Sequence, residues 1–295
     1  MVTLSPTSLA LLAAEETLFA EEYAQHHLPG ESKDAHIGKP FLLHHPNARC
    51  GVLLVHGLMA APEEVRQLAD YLFSQGYTVY APRMAGHGTS ALDLNSRAHA
   101  EWSASVQRGY AILHSCCDEV IAAGFSTGAA IMLQQVIEHP AQFRALISIS
   151  APLRFTKFSA HFARPVHGLN RLLQHSGLPQ LAKPFVTNHA DNPHINYLRC
   201  PVASIVQIKR LMKKVVPALP RIHIPALIVH ASHDPKVHVQ SARDIYRHIG
   251  SRHKEYMEVE YDLHGIIRGE ISQQVFARIT DFLHKLDRQH LPAQA

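Results

Sequence analysis

Val120-Ile121-Ala122-Ala123-Gly124-Phe125-Ser126-Thr127-Gly128-Ala129-Ala130-Ile131-Met132-Leu133 is the stretch whose reading decides the fold. Val120–Gly124 is a short, continuously apolar run, as expected of a strand buried on both faces of a parallel sheet. From Thr127 to Glu138 the residues are apolar nearly all round, which predicts a helix buried on every side. Only Phe125 and Ser126 separate the two, so the chain passes from strand to helix in a very tight turn. Such a turn forces strained backbone angles on Ser126 and pushes its Oγ into the open. Glycines at 124 and 128 remove Cβ atoms that would otherwise clash. G-x-S-x-G alone is a modest signal, because most chance copies are ordinary turns. The flanking strand and helix make Ser126 a candidate nucleophile.

The pattern continues outward. Further strand candidates are Phe41–Leu43, Gly51–Val55, Tyr77–Ala81, Ala145–Ile149, Ala226–His230 and Glu255–Tyr261. The last alternates Met257, Val259 and Tyr261 with Glu258 and Glu260, which suits an edge strand with one wet face. Pro62-Glu63-Glu64 reads as a helix start, followed by the stripe Val65, Leu68, Ala69, Leu72 and Phe73 and a stop at Gly76. Trp102, Val106, Gly109 and Leu113 make a second stripe, and Ile271 to Leu286 a closing helix. This alternation predicts an α/β fold: an open, mostly parallel sheet with helices on both faces.

The 295 residues fit one large domain with an insertion. The expected core is 36–151 with 221–295. Residues 152–220 are rich in Pro, His and basic side chains, show no convincing buried strand, and read as an inserted, mainly helical cap. That segment holds ten Lys or Arg against one acid, Asp191, while the remainder holds 18 basic and 23 acidic residues. Residues 1–35 carry Leu4, Leu11, Leu18 and Leu12, Phe19, the spacing of an amphipathic helix. A composition 46% hydrophobic and 18% charged excludes a disordered chain. No apolar run approaches the ~18 residues that span a bilayer. The apolar patch Leu9–Ala14 lacks a basic n-region and does not read as a signal peptide. Cys50, Cys116, Cys117 and Cys200 show the usage of a reducing compartment, hence cytoplasm.

A serine hydroxyl needs a base held by a third group. Of 24 histidines, His264 follows the last strand, at the sheet edge where Ser126 emerges. The orienting acid should follow a strand between them. Asp234 alone does so, since Asp191 lies in the insertion and Asp244 in a helix pattern; Asp262, on the histidine's own loop, is the runner-up. An oxyanion hole needs two backbone N–H donors. Thr127, at the helix start, is one; Leu58, in the His56-Gly57-Leu58-Met59 loop, is the other, with Met59 as the alternative. No HExxH or paired CxxC occurs, so no metal is expected, and His26-His27, His44-His45 and His230-x-x-His233 read as solvated. No glycine-rich phosphate loop follows the first strand, so no cofactor is expected.

His56-Gly57, Gly86-His87-Gly88, Gly124-x-Ser126-x-Gly128, His233-Asp234-Pro235 and His264-Gly265, in that order, resemble the α/β-hydrolase superfamily over roughly residues 40–285. The set is most similar to bacterial carboxylesterases and monoacylglycerol-lipase-like hydrolases with a helical lid. Two features depart from the pattern: Ala129-Ala130 stands where a further glycine is common, and the first ~35 residues have no clear counterpart. The resemblance implies a Ser126-Asp234-His264 triad, oxyanion donors at Leu58 and Thr127, and hydrolysis of carboxylic esters through an acyl-enzyme. Met59, Phe125 and apolar cap residues would line the substrate pocket. A serine at the elbow argues against aspartate- and cysteine-nucleophile relatives. It leaves open thioesterase, amidase, peptidase or acyltransferase chemistry, and a non-catalytic binding protein on the same scaffold. The expected partner is a small-molecule ester with an apolar acyl chain, not nucleic acid. The basic insertion raises an anionic lipid surface as a further partner.

Overall fold

The computed structural model describes residues 4–156, 163–176 and 181–289. In chain order the elements are α1 (Pro6–His26), α2 (Ala35–Gly38), β1 (Phe41–Leu43), β2 (Cys50–Val55), α3 (Arg66–Ser74), β3 (Thr78–Ala81), α4 (Ala91–Ser96) and α5 (His99–His114). Next come β4 (Glu119–Phe125), α6 (Thr127–Glu138), β5 (Ala145–Ile149), α7 (Ala163–His175), β6 (Phe185–Thr187), β7 (Arg199–Pro201) and α8 (Val202–Ala218). The chain closes with β8 (Ala226–Ala231), α9 (Gln240–His248), β9 (Lys254–Val259) and α10 (Ser272–Gln289).

Seven strands form one sheet in the order β1-β3-β2-β4-β5-β8-β9. All neighbours are parallel except β1, which runs antiparallel to β3. The expected strands are therefore all present, with ends moved by a residue or two, and β9 takes the predicted edge. Successive residues point to opposite faces. Leu53, Val55, Ala122 and Ile228 join a core with α5, α6, α8 and α9. Val52, Leu54, Ile121 and Leu227 join a second core with α3 and α10. Helix α6 is buried along its whole length save Glu138, as its all-round apolar sequence predicts.

Two local expectations change. Pro62 begins a 3-10 turn to Val65, and the α-helix starts only at Arg66. Residues 152–220 contain a two-stranded antiparallel ribbon, β6 with β7, beside α7 and α8. Within that segment α8 contributes Ile208, Leu211, Met212 and Val215 to the core under α6, while α7 leaves Leu169 and Leu172 exposed. Lys157, counted among its cations, lies outside the described residues.

The N-terminal helix forms, but polar groups do much of its docking. Its buried residues are Ser8, Glu15 and Phe19, while Leu11, Leu12 and Leu18 are only half-buried. Ser8 donates to the Ser115 carbonyl at 3.2 Å, Glu15 pairs with Arg108, and Glu22 pairs with both Arg83 and Arg97. Arg83 is nearly sealed from water, so its charge depends on the carboxylate that α1 delivers.

Candidate active site

The turn at Ser126 has φ 53° and ψ −121°, a left-handed conformation that costs a non-glycine residue of order 1–3 kcal/mol unless its surroundings over-determine it. Here they do. Ser126 N–H still donates to Ile149 O at 2.8 Å, which holds the residue on the ladder to β5. A Cβ on Gly128 would lie 2.3 Å from Val55 O, and one on Gly124 2.6 Å from Ala129 N, so both positions exclude any side chain. Register places Gly124 beside Val55 and Ser148, so Ser126 leaves the sheet at the carboxyl ends of its central strands.

Two other loops reach the same edge. Asp234 stands three residues beyond β8, and its Oδ1 accepts the N–H groups of Lys236 at 2.8 Å and Val237 at 2.9 Å. Its Oδ2 accepts from His264 Nδ1 at 2.6 Å, and His264 Nε2 lies 2.9 Å from Ser126 Oγ. With Nδ1 protonated toward the carboxylate, Nε2 accepts the serine proton. The Phe125 ring packs beneath the imidazole, centroids 5.0 Å apart. Burial pushes the Asp234 carboxyl up, but the His264 contact and the two N–H groups outweigh it, leaving the group below its usual range and ionised. Asp262, the runner-up acid, is exposed and lies against His233 instead.

The loop that carries Leu58 and Met59 rests on buried neutral histidines. Met84 N–H donates to His56 Nε2 at 3.2 Å, which leaves the Nδ1 proton for Gly57 O at 2.9 Å. His87 packs edge-on against both His56 and Trp102. Among the described residues, no hydrogen bond uses the N–H of Leu58, Met59 or Thr127. Met59 has φ 62°, and its carbonyl accepts Tyr197 N–H at 2.9 Å. Two donors from different elements thus remain open beside Ser126, and Leu58 and Met59 are equally open on the first loop.

Gly57, Leu58, Met59, Phe125, Ser126, Thr127 and His264 all line one cavity of about 560 Å³. The sequence reading therefore gathered a single site. It missed Glu64, Asn192, Asn196 and Lys236, which share the cavity. Glu64 was read as a helix-start acid; its carboxylate instead turns inward and accepts Gly57 N–H at 2.7 Å. The expectation of solvated histidines fails at His230, which is fully buried and bonded through Nε2 to Val237 O at 3.1 Å. Among the described residues, no group of three or more His, Cys, Asp or Glu could hold a metal ion.

Comparison with known proteins gives the following. The family model described as "Serine aminopeptidase, S33" matches residues 46–271. The chain is 31% identical over 239 residues to the thermostable monoacylglycerol lipase of Bacillus sp. (strain H-257), covering 81% of this chain and 92% of that one. It is 26% identical over 243 residues to a carboxylesterase of Bacillus subtilis (strain 168), covering 80% and 93%. Among solved structures, one reported with the metagenome-derived lipolytic enzymes LipS and LipT superposes at TM-score 0.73 with 25% identity, covering 88% of this chain and 99% of that one. The Paleococcus ferrophilus monoacylglycerol lipase superposes at 0.66 with 18% identity, covering 84% and 98%, and shares the fold.

Burial holds His56 near a pKa of about 4, against a weaker upward pull from Gly57 O, and holds His87 well below the ordinary value. His230 is lowered as well, again chiefly by burial. The unfolded chain therefore binds protons that the folded chain refuses between about pH 6.5 and 4, so stability falls as pH drops through that window. Urea denaturation as a function of pH should show ΔG level above about pH 7. Below about pH 6 it should decline with a slope corresponding to at least two protons. A flat profile down to pH 4 would contradict the neutral-histidine floor.

Proposed function

The chain belongs to the serine aminopeptidase S33 family, and we propose that it hydrolyses carboxylic esters with Ser126, His264 and Asp234 as its catalytic triad. The observation that carries this reading is the unbroken relay, Asp234 Oδ2 to His264 Nδ1 at 2.6 Å and His264 Nε2 to Ser126 Oγ at 2.9 Å. Ser126 attacks the ester carbonyl as His264 takes its proton, and the N–H groups of Leu58 and Thr127 hold the developing oxyanion. The imidazolium then protonates the leaving alcohol. Water, deprotonated by the same imidazole, releases the acid and restores Ser126. Asp234 stays ionised throughout and stabilises the transient imidazolium.

The cavity supports an amphiphilic substrate. Its lining includes apolar Phe155, Val166, Val202, Ile205 and Ile208 and polar Glu64, Asn188, Asn192, Asn196 and Lys236. Such a mixed lining suits an ester that joins an acyl chain to a polar alcohol, as in a monoacylglycerol. The names of the Bacillus relatives point the same way. We assign residues 152–220 the role of a cap over this cavity, since α7 and α8 supply its apolar wall. The outer face of α7 sets exposed Leu169 and Leu172 beside Arg164 and Arg171, which supports docking to an anionic lipid surface. No described helix is long and apolar enough to cross a membrane. Four unpaired cysteines support a reducing compartment such as the cytoplasm.

Nitrophenyl esters of increasing acyl length, acyl-CoAs and aminoacyl anilides should be compared by kcat/KM. Esters should lead, and Asp234→Asn should lower kcat on the best of them by about 10⁴-fold. A preference for anilides would overturn the ester reading, and an undiminished Asp234→Asn enzyme would overturn the triad. In co-sedimentation at low salt, vesicles containing phosphatidylglycerol should retain more protein than pure phosphatidylcholine vesicles. Equal retention would remove the lipid-surface reading.

A further inference from the structure

His230 is a fully buried histidine that the triad mechanism does not use. It is the fifth residue of β8 and lies in register with Glu258 of β9, so its backbone sits in a ladder with a strand on each side. The strand ends at Ala231, and the turn that follows brings Asp234 and Val237 back to the ring. His230 Nε2 lies 3.1 Å from Val237 O and 3.5 Å from Asp234 Oδ2. Neither the His230 nor the Asp234 side chain is exposed to water. Main-chain groups of the neighbouring segment also grip the turn, since Phe155 bridges Val237 and Thr156 N–H donates to Lys236 O at 3.1 Å. The His230 ring differs from these in reaching the carboxylate as well.

Burial pulls the imidazole below its ordinary pKa, so near neutral pH the ring carries one proton. A carbonyl oxygen can only accept, which places that proton on Nε2. The second acceptor near it, Asp234 Oδ2, is the oxygen that takes His264 Nδ1–H at 2.6 Å. One carboxylate oxygen thus lies between two imidazoles, the base on its loop and a fixed ring on the strand. The other oxygen accepts the N–H groups of Lys236 and Val237. Val237 is therefore engaged twice: its N–H grips Asp234 Oδ1, and its carbonyl is gripped by His230. His230 Nδ1, by contrast, is buried with no hydrogen-bond partner among the described residues. An apolar side chain would fill the same place without leaving a polar atom unpaired. What an imidazole adds here is a donor aimed at the turn that carries Asp234.

We propose that His230 is a positioning residue of the active site, whose Nε2–H fixes the 234–237 turn so that Asp234 Oδ2 faces His264 Nδ1. This rests on the triad reading and adds a fourth side chain to it. A group that orients a catalytic base must itself be held by rigid neighbours, and a ring on an inner strand meets that need better than another loop would.

The test places asparagine, glutamine and methionine at 230 in the full-length protein. A glutamine amide reaches about as far as Nε2, whereas an asparagine amide stops near Nδ1 and a methionine donates nothing. His230→Asn should lower kcat on the best nitrophenyl ester about tenfold with KM nearly unchanged, the mark of a contact that matters in the transition state. His230→Gln should recover most of that loss. His230→Met should behave as His230→Asn does, and it serves if His230→Asn does not fold. In proton NMR the low-field resonance of His264 Nδ1–H, identified by its absence in His264→Ala, should broaden or move upfield in the asparagine and methionine variants and persist in His230→Gln. A purely structural His230 would lower stability in urea while leaving kcat and that resonance as in the wild type, which would overturn the proposal. An equal loss in all three variants would overturn it too, because the donor would then be irrelevant. A wild type that hydrolyses no ester and lacks the resonance would bring down the triad, and the proposal with it.

Discussion

A serine held in a left-handed backbone conformation, with no space for a side chain two residues before or after it, is the constraint on which this structure depends. The strain at Ser126 persists because β4 lies between β2 and β5, and because α6 comes so close that only glycine fits at 124 and 128. Buried apolar packing on both faces of the sheet, together with the ladder of β4 to its neighbours, fixes this geometry. The placement of Ser126 in the cavity wall is thus a product of the two cores, which pack β4 from both faces.

From that point the site is a matter of meeting places. The parallel strands all end on the same edge, so loops separated by more than a hundred residues deliver His264 and Asp234 to Ser126. Asp234 is held by two main-chain N–H groups on one carboxylate oxygen and meets the imidazole with the other. On the other side of the serine, a floor of uncharged histidines carries the loop that ends at Leu58 and Met59. That loop is also tied to the inserted segment, through Tyr197 N–H to Met59 O. The inserted segment and the loop that follows β2 are therefore in direct contact beside Ser126.

Much of this is legible in the amino-acid sequence because strand and helix periods are local. The strand Val120–Gly124, the helix Thr127–Glu138 and the loop positions of Asp234 and His264 follow from short patterns read in order. Contacts between distant segments leave no such trace. Glu64 looked like an ordinary first-turn acid, since nothing near it in sequence announces that Gly57 needs an acceptor or that Asn196 faces it. His230 looked solvated in a chain rich in histidine, yet it lies on β8, between β5 and the edge strand β9, and is sealed by the loop carrying Asp234. The leucine spacing of α1 correctly gave a helix, but its docking through Glu15 and Glu22 depends on arginines of β3's exit loop, α4's end and α5.

The central claim is that three distant side chains make the Ser126 hydroxyl a nucleophile. Incubation of the intact protein with a fluorophosphonate, followed by intact-mass measurement and peptide mapping, tests it most directly. The account predicts a single stoichiometric adduct on Ser126, formed far more slowly when His264 is replaced by alanine. A folded wild-type protein that remains unlabelled, or that carries its adduct on another serine, would contradict it.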